Sequence, residues 1–170
     1  MISVYDTIEK AIYEWAVLVL PTNTPIIWYH ENAPRPIVPY VALYISTVSS
    51  IGWDFVDGKG NLTGNRDFTL LCQGIGKYSM DFMETMKTSL EKPAVQLFLR
   101  SKEIAFVERL AISCISEVVD NRWEERHILD LKFRFAQLST DTSGIVEHAN
   151  IKGAIKNIDL STVKSVNITL

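Results

Sequence analysis

The sequence predicts an α/β (α+β) protein of a single compact domain, and three observations carry that prediction. Residues 6–20 repeat apolar side chains at helical spacing, with Ile8, Ile12, Trp15 and Val19 on one face. From Leu129 to Phe135, Leu129, Leu131, Phe133 and Phe135 alternate with Asp130, Lys132 and Arg134, the mark of a half-exposed antiparallel strand. The chain of 170 residues suits one domain, or one domain with an appendage. At that size folding buries roughly 70% of the unfolded surface, so the core needs no disulfide or metal staple.

The elements follow in order. Asp6 is the expected cap of the first helix, with Glu9 three residues on as in a capping box, and Pro21 ends it. Five of the six prolines fall between positions 21 and 39, so this stretch should be extended, with a short strand at Ile26–His30. Tyr40 to Val48 is rich in β-branched and aromatic residues and apolar on both faces in its first half, which predicts a strand covered on two sides. Residues 54–65, with Gly58, Gly60 and Gly64, read as a long loop between two strands. The next strand, Arg66 to Gly74, puts Phe68, Leu70 and Cys72 on one face. A second helix starts at Ser79 with Phe82, Met83, Met86 and Leu90 as its buried stripe. Met80 shares the spacing of Met83 and Met86, and core packing is preferred there to an adaptable binding surface. Pro93 opens a short third helix carrying Ala94, Leu97 and Phe98. Strands are then expected at Ile104–Glu108 and Ile112–Val119, ahead of the alternating strand. The division expected is 1–138 for the domain and 139–170 for a C-terminal extension or edge-strand arm.

Composition excludes several classes. Hydrophobic residues make up 47% and charged residues 22%, which argues against disorder. Seventeen Lys and Arg against twenty Asp and Glu give a net charge of −3, too acidic for a binder of nucleic acid through a basic surface. The longest apolar run near the N-terminus, Trp15 to Leu20, is far short of the ~18 residues of a spanning helix, and Asp6, Glu9, Lys10 and Glu14 spoil a signal peptide. The expectation is a chain made in the cytoplasm, with Cys72 and Cys114 as buried, reduced thiols.

Catalytic constellations are missing from the sequence. His30, His127 and His148 are isolated from one another and from the cysteines, so no zinc spacing exists. Gly58, Gly60 and Gly64 lack the Lys-Ser/Thr of a phosphate loop, and Gly74 with Gly76 reads as a strand-to-helix bend. Arg122, Glu124, Glu125 and Arg126 form a charged cluster whose adjacent carboxylates would face opposite ways on a strand, giving an ion-pair rim. No catalytic residue, cofactor or metal is expected.

Three segments carry a resemblance. They are Trp15 to Pro21 (WAVLVLP), Pro36 to Leu43 (PIVPYVAL) and Trp123 to Phe133 (WEERHILDLKF), the last similar to a Tyr-Glu-x-Arg-x-x-x-x-Leu pattern with Trp123 in the aromatic place. Over about residues 5–138 the chain resembles the neck or tail terminator family of tailed bacteriophages. The resemblance implies an antiparallel or mixed sheet flanked by two or three helices. It implies no enzyme but a virion protein made in the host cytoplasm, a ring subunit, usually one of six, that caps the tail tube and receives the head connector at the neck. Implied partners are further copies of the chain, the tail tube, the connector and the tail sheath, with DNA passing through the lumen without specific binding. The alternatives left open are another head–tail joining or tail-completion protein and a small-ligand-binding α/β protein.

The candidate interface residues fall in three places. Phe55, Asp57, Lys59, Asn61 and Leu62 lie in the glycine-rich segment, which is longer than a tight turn needs. Arg122, Glu124 and Arg126 lead into the alternating strand. Val166 and Ile168, with Leu170, alternate with polar residues at the chain's end, a pattern expected to pair as an edge strand on its own sheet or on a partner's.

Overall fold

The computed structural model describes residues 4–31, 34–58, 60–119 and 121–139, together with the backbone of 153–156 and 163–166. Helix α1 (Val4–Val19) is followed by strands β1 (Ile26–Trp28), β2 (Tyr40–Val56) and β3 (Leu62–Ile75), then helices α2 (Ser79–Ser89) and α3 (Pro93–Ser101). Strands β4 (Ile104–Arg109), β5 (Ser113–Cys114), β6 (Glu117–Val119), β7 (Arg122–Glu124) and β8 (Arg126–Ser139) complete the domain. The main sheet runs β1-β2-β3-β8-β4, with β5 also on β8. It is mixed: β1 lies parallel to β2, and the other pairings are antiparallel. The α+β class is as expected.

Period-two alternation decides which sheet face meets the helices. Val41 and Leu43 of β2, Phe68, Leu70 and Cys72 of β3, and Leu129, Leu131 and Phe133 of β8 join the helices in one core. Helix α1 contributes Ile8, Ala11, Ile12, Trp15 and Ala16, the spacing of a single helical stripe. Phe133 is central to this layer, stacked on Phe68 at 5.4 Å and met edge-on by Trp15 and Phe106 at 6.0 and 5.8 Å. The buried Trp15 indole donates to Ser89 Oγ, and Ser89 Oγ donates to the Met86 carbonyl, so the contact of α1 with α2 leaves neither polar group unmet. Tyr40, Ala42 and Ile75, of opposite parity, form a small second cluster with Ile27, so the start of β2 is indeed covered on both sides.

Farther along, the second face is open and charged. Asp67 accepts from Arg134 Nε at 2.8 Å and Nη2 at 3.2 Å, with Lys132 at 3.5 Å. The hydrogen bonds from Arg134 hold the Asp67 carboxyl below its usual range. A depressed folded value stabilises the protein above the unfolded carboxyl's value of about 3.9 and is lost as pH falls through the folded value. Urea midpoints at pH 7 and pH 2.5 should therefore differ more in the wild type than in Asp67→Asn, which should be less stable at pH 7 and converge with it in acid. Parallel behaviour of the two proteins would show that this pair contributes nothing.

Several local expectations are corrected. Helix α1 begins at Val4, so Asp6 sits within its first turn and does not cap it. Residues 54–65 are not a loop. Strand β2 runs on to Val56 and β3 starts at Leu62, leaving a turn at 57–61. The turn is short because Asn61 donates its backbone N–H and its Nδ2 to the two Asp57 oxygens, both at 2.8 Å. The strand expected over Ile112–Val119 is broken into β5 and β6, because β6 turns back on β7 as its own hairpin, with Asn121 at φ 61°. On α3 the buried residues are Val95 and Leu99, and Leu97 is exposed, because the helix meets the sheet on the face one residue round. Met83 and Met86 are core, whereas Met80 is exposed. Cys72 is buried, and desolvation pushes its thiol pKa upward. Cys114 is exposed on the short strand β5, where hydrogen bonding to Ser116 lowers its thiol pKa.

In the C-terminal segment, β9 (Gly153–Lys156) and β10 (Val163–Val166) pair antiparallel with each other. The pairing described there is local, between these two strands. Val166 closes that ladder opposite Gly153. Ile168 and Leu170 lie outside the described residues, as does Lys59.

Candidate functional site

The candidate residues separate to opposite ends of one long sheet. From Leu62 to Ile75, β3 spans 14 residues, roughly 45 Å at the rise of a strand. The helices cover the sheet well past the start of β2: Phe68, opposite Val48, and Phe133 and Phe135 of β8 belong to the helix-packed core, and Tyr5 of α1 meets Phe135 edge-on at 6.2 Å. Beyond Ser50 and its neighbours Arg66 and Phe135, β2, β3 and β8 continue as an arm with no buried apolar side chain among the described residues.

At the far end the arm is stiff. Gly52, at φ 68°, sits in an irregularity where β2 steps out of register between Ile51 and Phe55. Asp54 takes both Nη atoms of Arg66, each at 2.6 Å, across the ladder. Gly64 lies beneath this pair, and a Cβ there would meet Asp54 Oδ1 and Arg66 Nη1 and push the ends of both side chains aside. The third strand of the arm is the end of β8, where Leu62 faces Ser139 and Thr63 faces Leu138. Trp53 is 100% exposed and Phe55 70%, with Val56, Leu62 and Leu138 also in solvent. Phe55, Asp57, Asn61 and Leu62 are thus brought together here. Asp57 and Asn61 shape the turn, and Phe55 and Leu62 present apolar surface.

The near end holds Arg122 and Glu124 on a groove of about 870 Å³, with Arg126 ion-paired to Glu124. Three short pieces build it: residues 35–38 before β2, Gly76 and Lys77 after β3, and the hairpin of β6 and β7. Gly76, at φ 89°, makes the bend expected between strand and helix, and its N–H donates to the Glu125 carbonyl at 2.8 Å. Arg35 pairs with Glu124, and Arg126 pairs with both Glu124 and Glu117, so the expected ion-pair rim is present. Burial alone would raise the Glu124 carboxyl, but hydrogen bonds from Arg126 and Arg35 outweigh it and hold the group below its usual range. Glu124 and Arg126 therefore brace the groove from within, while Arg122 is exposed on its hairpin. Ile37 is 89% exposed and Trp123 67%.

Sequence reasoning missed Trp53, Ile37 and Trp123 as surface residues. It also missed a hydrogen bond of 2.9 Å between Ser79 Oγ and His127 Nδ1, formed across 48 residues. Ser79 is fully buried at the start of α2, so that pair ties the helix to β8 and offers no access to a substrate. Among the described residues no cluster of three or more His, Cys, Asp or Glu could hold a metal, and no helix is long and apolar enough to cross a membrane.

Exposed aromatic side chains at both ends of a braced sheet are the features of a subunit built for protein contacts. The sequence matches the family model of the phage neck terminator protein over residues 6–166, and the chain belongs to that family. It is thus a structural protein of the phage particle, placed at the neck and in contact with other head–tail proteins. The match runs beyond residue 138 and takes in the segment of β9 and β10, farther than the resemblance read from the sequence. No curated protein matches the chain.

Proposed function

We propose that this chain is the subunit of a ring, sixfold in its simplest form, that caps the finished tail tube and offers the surface on which the head connector docks. The observation that carries this reading is the bare, stiff arm, whose exposed Trp53 and Phe55 find no partner layer within the chain's described residues. Apolar surface of that kind is tolerated when assembly covers it. The role needs no catalysis, cofactor or metal, and a net charge of −3 suits a ring through which DNA slides without being held. The arm contacts a neighbouring subunit or the tube. The C-terminal segment, with Val166 and Ile168, adds a strand to a partner, since a two-stranded ladder leaves an outer edge on each strand.

Removal of the gene from its phage should yield tails that are not joined to heads and whose tubes are not stopped at a fixed length. Supplying the chain from a plasmid should restore both. Joined tails of normal length in its absence would reject the role.

A further inference from the structure

We propose that the arm of one subunit docks into the groove at the opposite end of the next copy, so that each subunit reaches head-to-tail to its neighbour. The inference rests on the ring reading and names the surface that receives the arm.

Two different apolar patches lie on one chain, about a strand's length apart. The donor surface is the arm's tip, with Phe55 exposed on one face and Val56 and its cross-strand partner Leu62 on the other, Trp53 fully exposed beside them, on strands braced by the Asp54–Arg66 pair and the Asp57–Asn61 clamp. The receiving patch is Ile37, Val38 and Trp123, exposed around a groove whose volume admits more than one aromatic side chain. The groove's shape is fixed before anything binds, because Arg35–Glu124 and Arg126–Glu117 hold its walls and the Gly76–Glu125 backbone bond holds its floor. A preformed receptor and a stiff donor both reduce the entropy lost on docking.

Size favours a second copy as the occupant. An aromatic side chain buries about 150–250 Å². Three of them with the aliphatic neighbours amount to on the order of 1,000 Å², the lower bound for a specific interface. One such contact is weak alone, but a contact between unlike patches of identical chains repeats around a closed ring. Closure makes the last contact intramolecular and strengthens the whole.

The test uses phage particles assembled with a chain carrying Val56→Cys and Lys77→Cys, with Cys114→Ser removing the exposed native thiol. Cys72 is buried and does not compete. A short bismaleimide should link copies into a ladder of dimers and higher multimers on a denaturing gel, and either single-cysteine chain should give monomer. A chain present in the particle at wild-type amount that stays monomeric would overturn the docking and leave the ring reading intact. Absence of the wild-type chain from the neck would instead overturn the ring reading. If the triple variant fails to assemble, hydroxyl-radical footprinting of wild-type particles decides the matter. Trp53 and Trp123 should both be protected relative to the isolated subunit. Protection of one without the other would overturn the proposal.

Discussion

Phe133→Ala should destabilise the isolated subunit by about 3–5 kcal/mol, the range for an aromatic removed from a closed core. The ring is fully buried, and Phe68, Trp15 and Phe106 surround it from β3, α1 and β4. No single neighbour can collapse into the space, because each is fixed by another element. A domain's whole stability is about 5–15 kcal/mol, so the variant should lose a large fraction of it and unfold at a markedly lower urea concentration. A shift under 1 kcal/mol would mean that this layer is not packed as described.

The second large effect concerns assembly and leaves the fold alone. Trp53→Ser with Phe55→Ser should purify as a folded subunit with the wild type's urea midpoint, since neither side chain belongs to the core. Its ability to complete tails should collapse. A buried aromatic anchor is worth about 2 kcal/mol or more at an interface, roughly 30-fold in each contact's equilibrium constant. In a ring that loss recurs at every contact, so the yield of joined particles in a complementation assay should fall by far more than 30-fold. Normal yield from this variant would remove the arm from the assembly.

The fold was legible where burial follows sequence period. The alternation of Leu129, Leu131, Phe133 and Phe135 and the stripe of Ile8, Ile12 and Trp15 are written by the same core that they fill. The arm was legible only in part. Periodicity reports which residues share a face, and it is silent on whether anything covers that face. Trp53 and Phe55 therefore looked like the edge of a loop, when they stand on a strand with no layer above them. The shortness of the turn was hidden for a different reason. Asp57 and Asn61 are loop-type residues that here bond each other and let pairing continue to the tip. At the groove, Arg122, Glu124 and Arg126 were visible as a charged cluster, but their receptor shape depends on Arg35, 89 residues from Glu124. Ile37 and Val38 lie in a proline-rich stretch that no period describes. Contacts of that separation leave no local signal.

The most direct test of the terminator role is electron cryomicroscopy of complete particles, resolved at the neck and compared with particles in which this chain bears a bound antibody fragment. The expected image is a closed ring of this chain at the junction of tail tube and head connector, with antibody density on that ring alone. Density elsewhere in the particle, or a junction built without this chain, would contradict it.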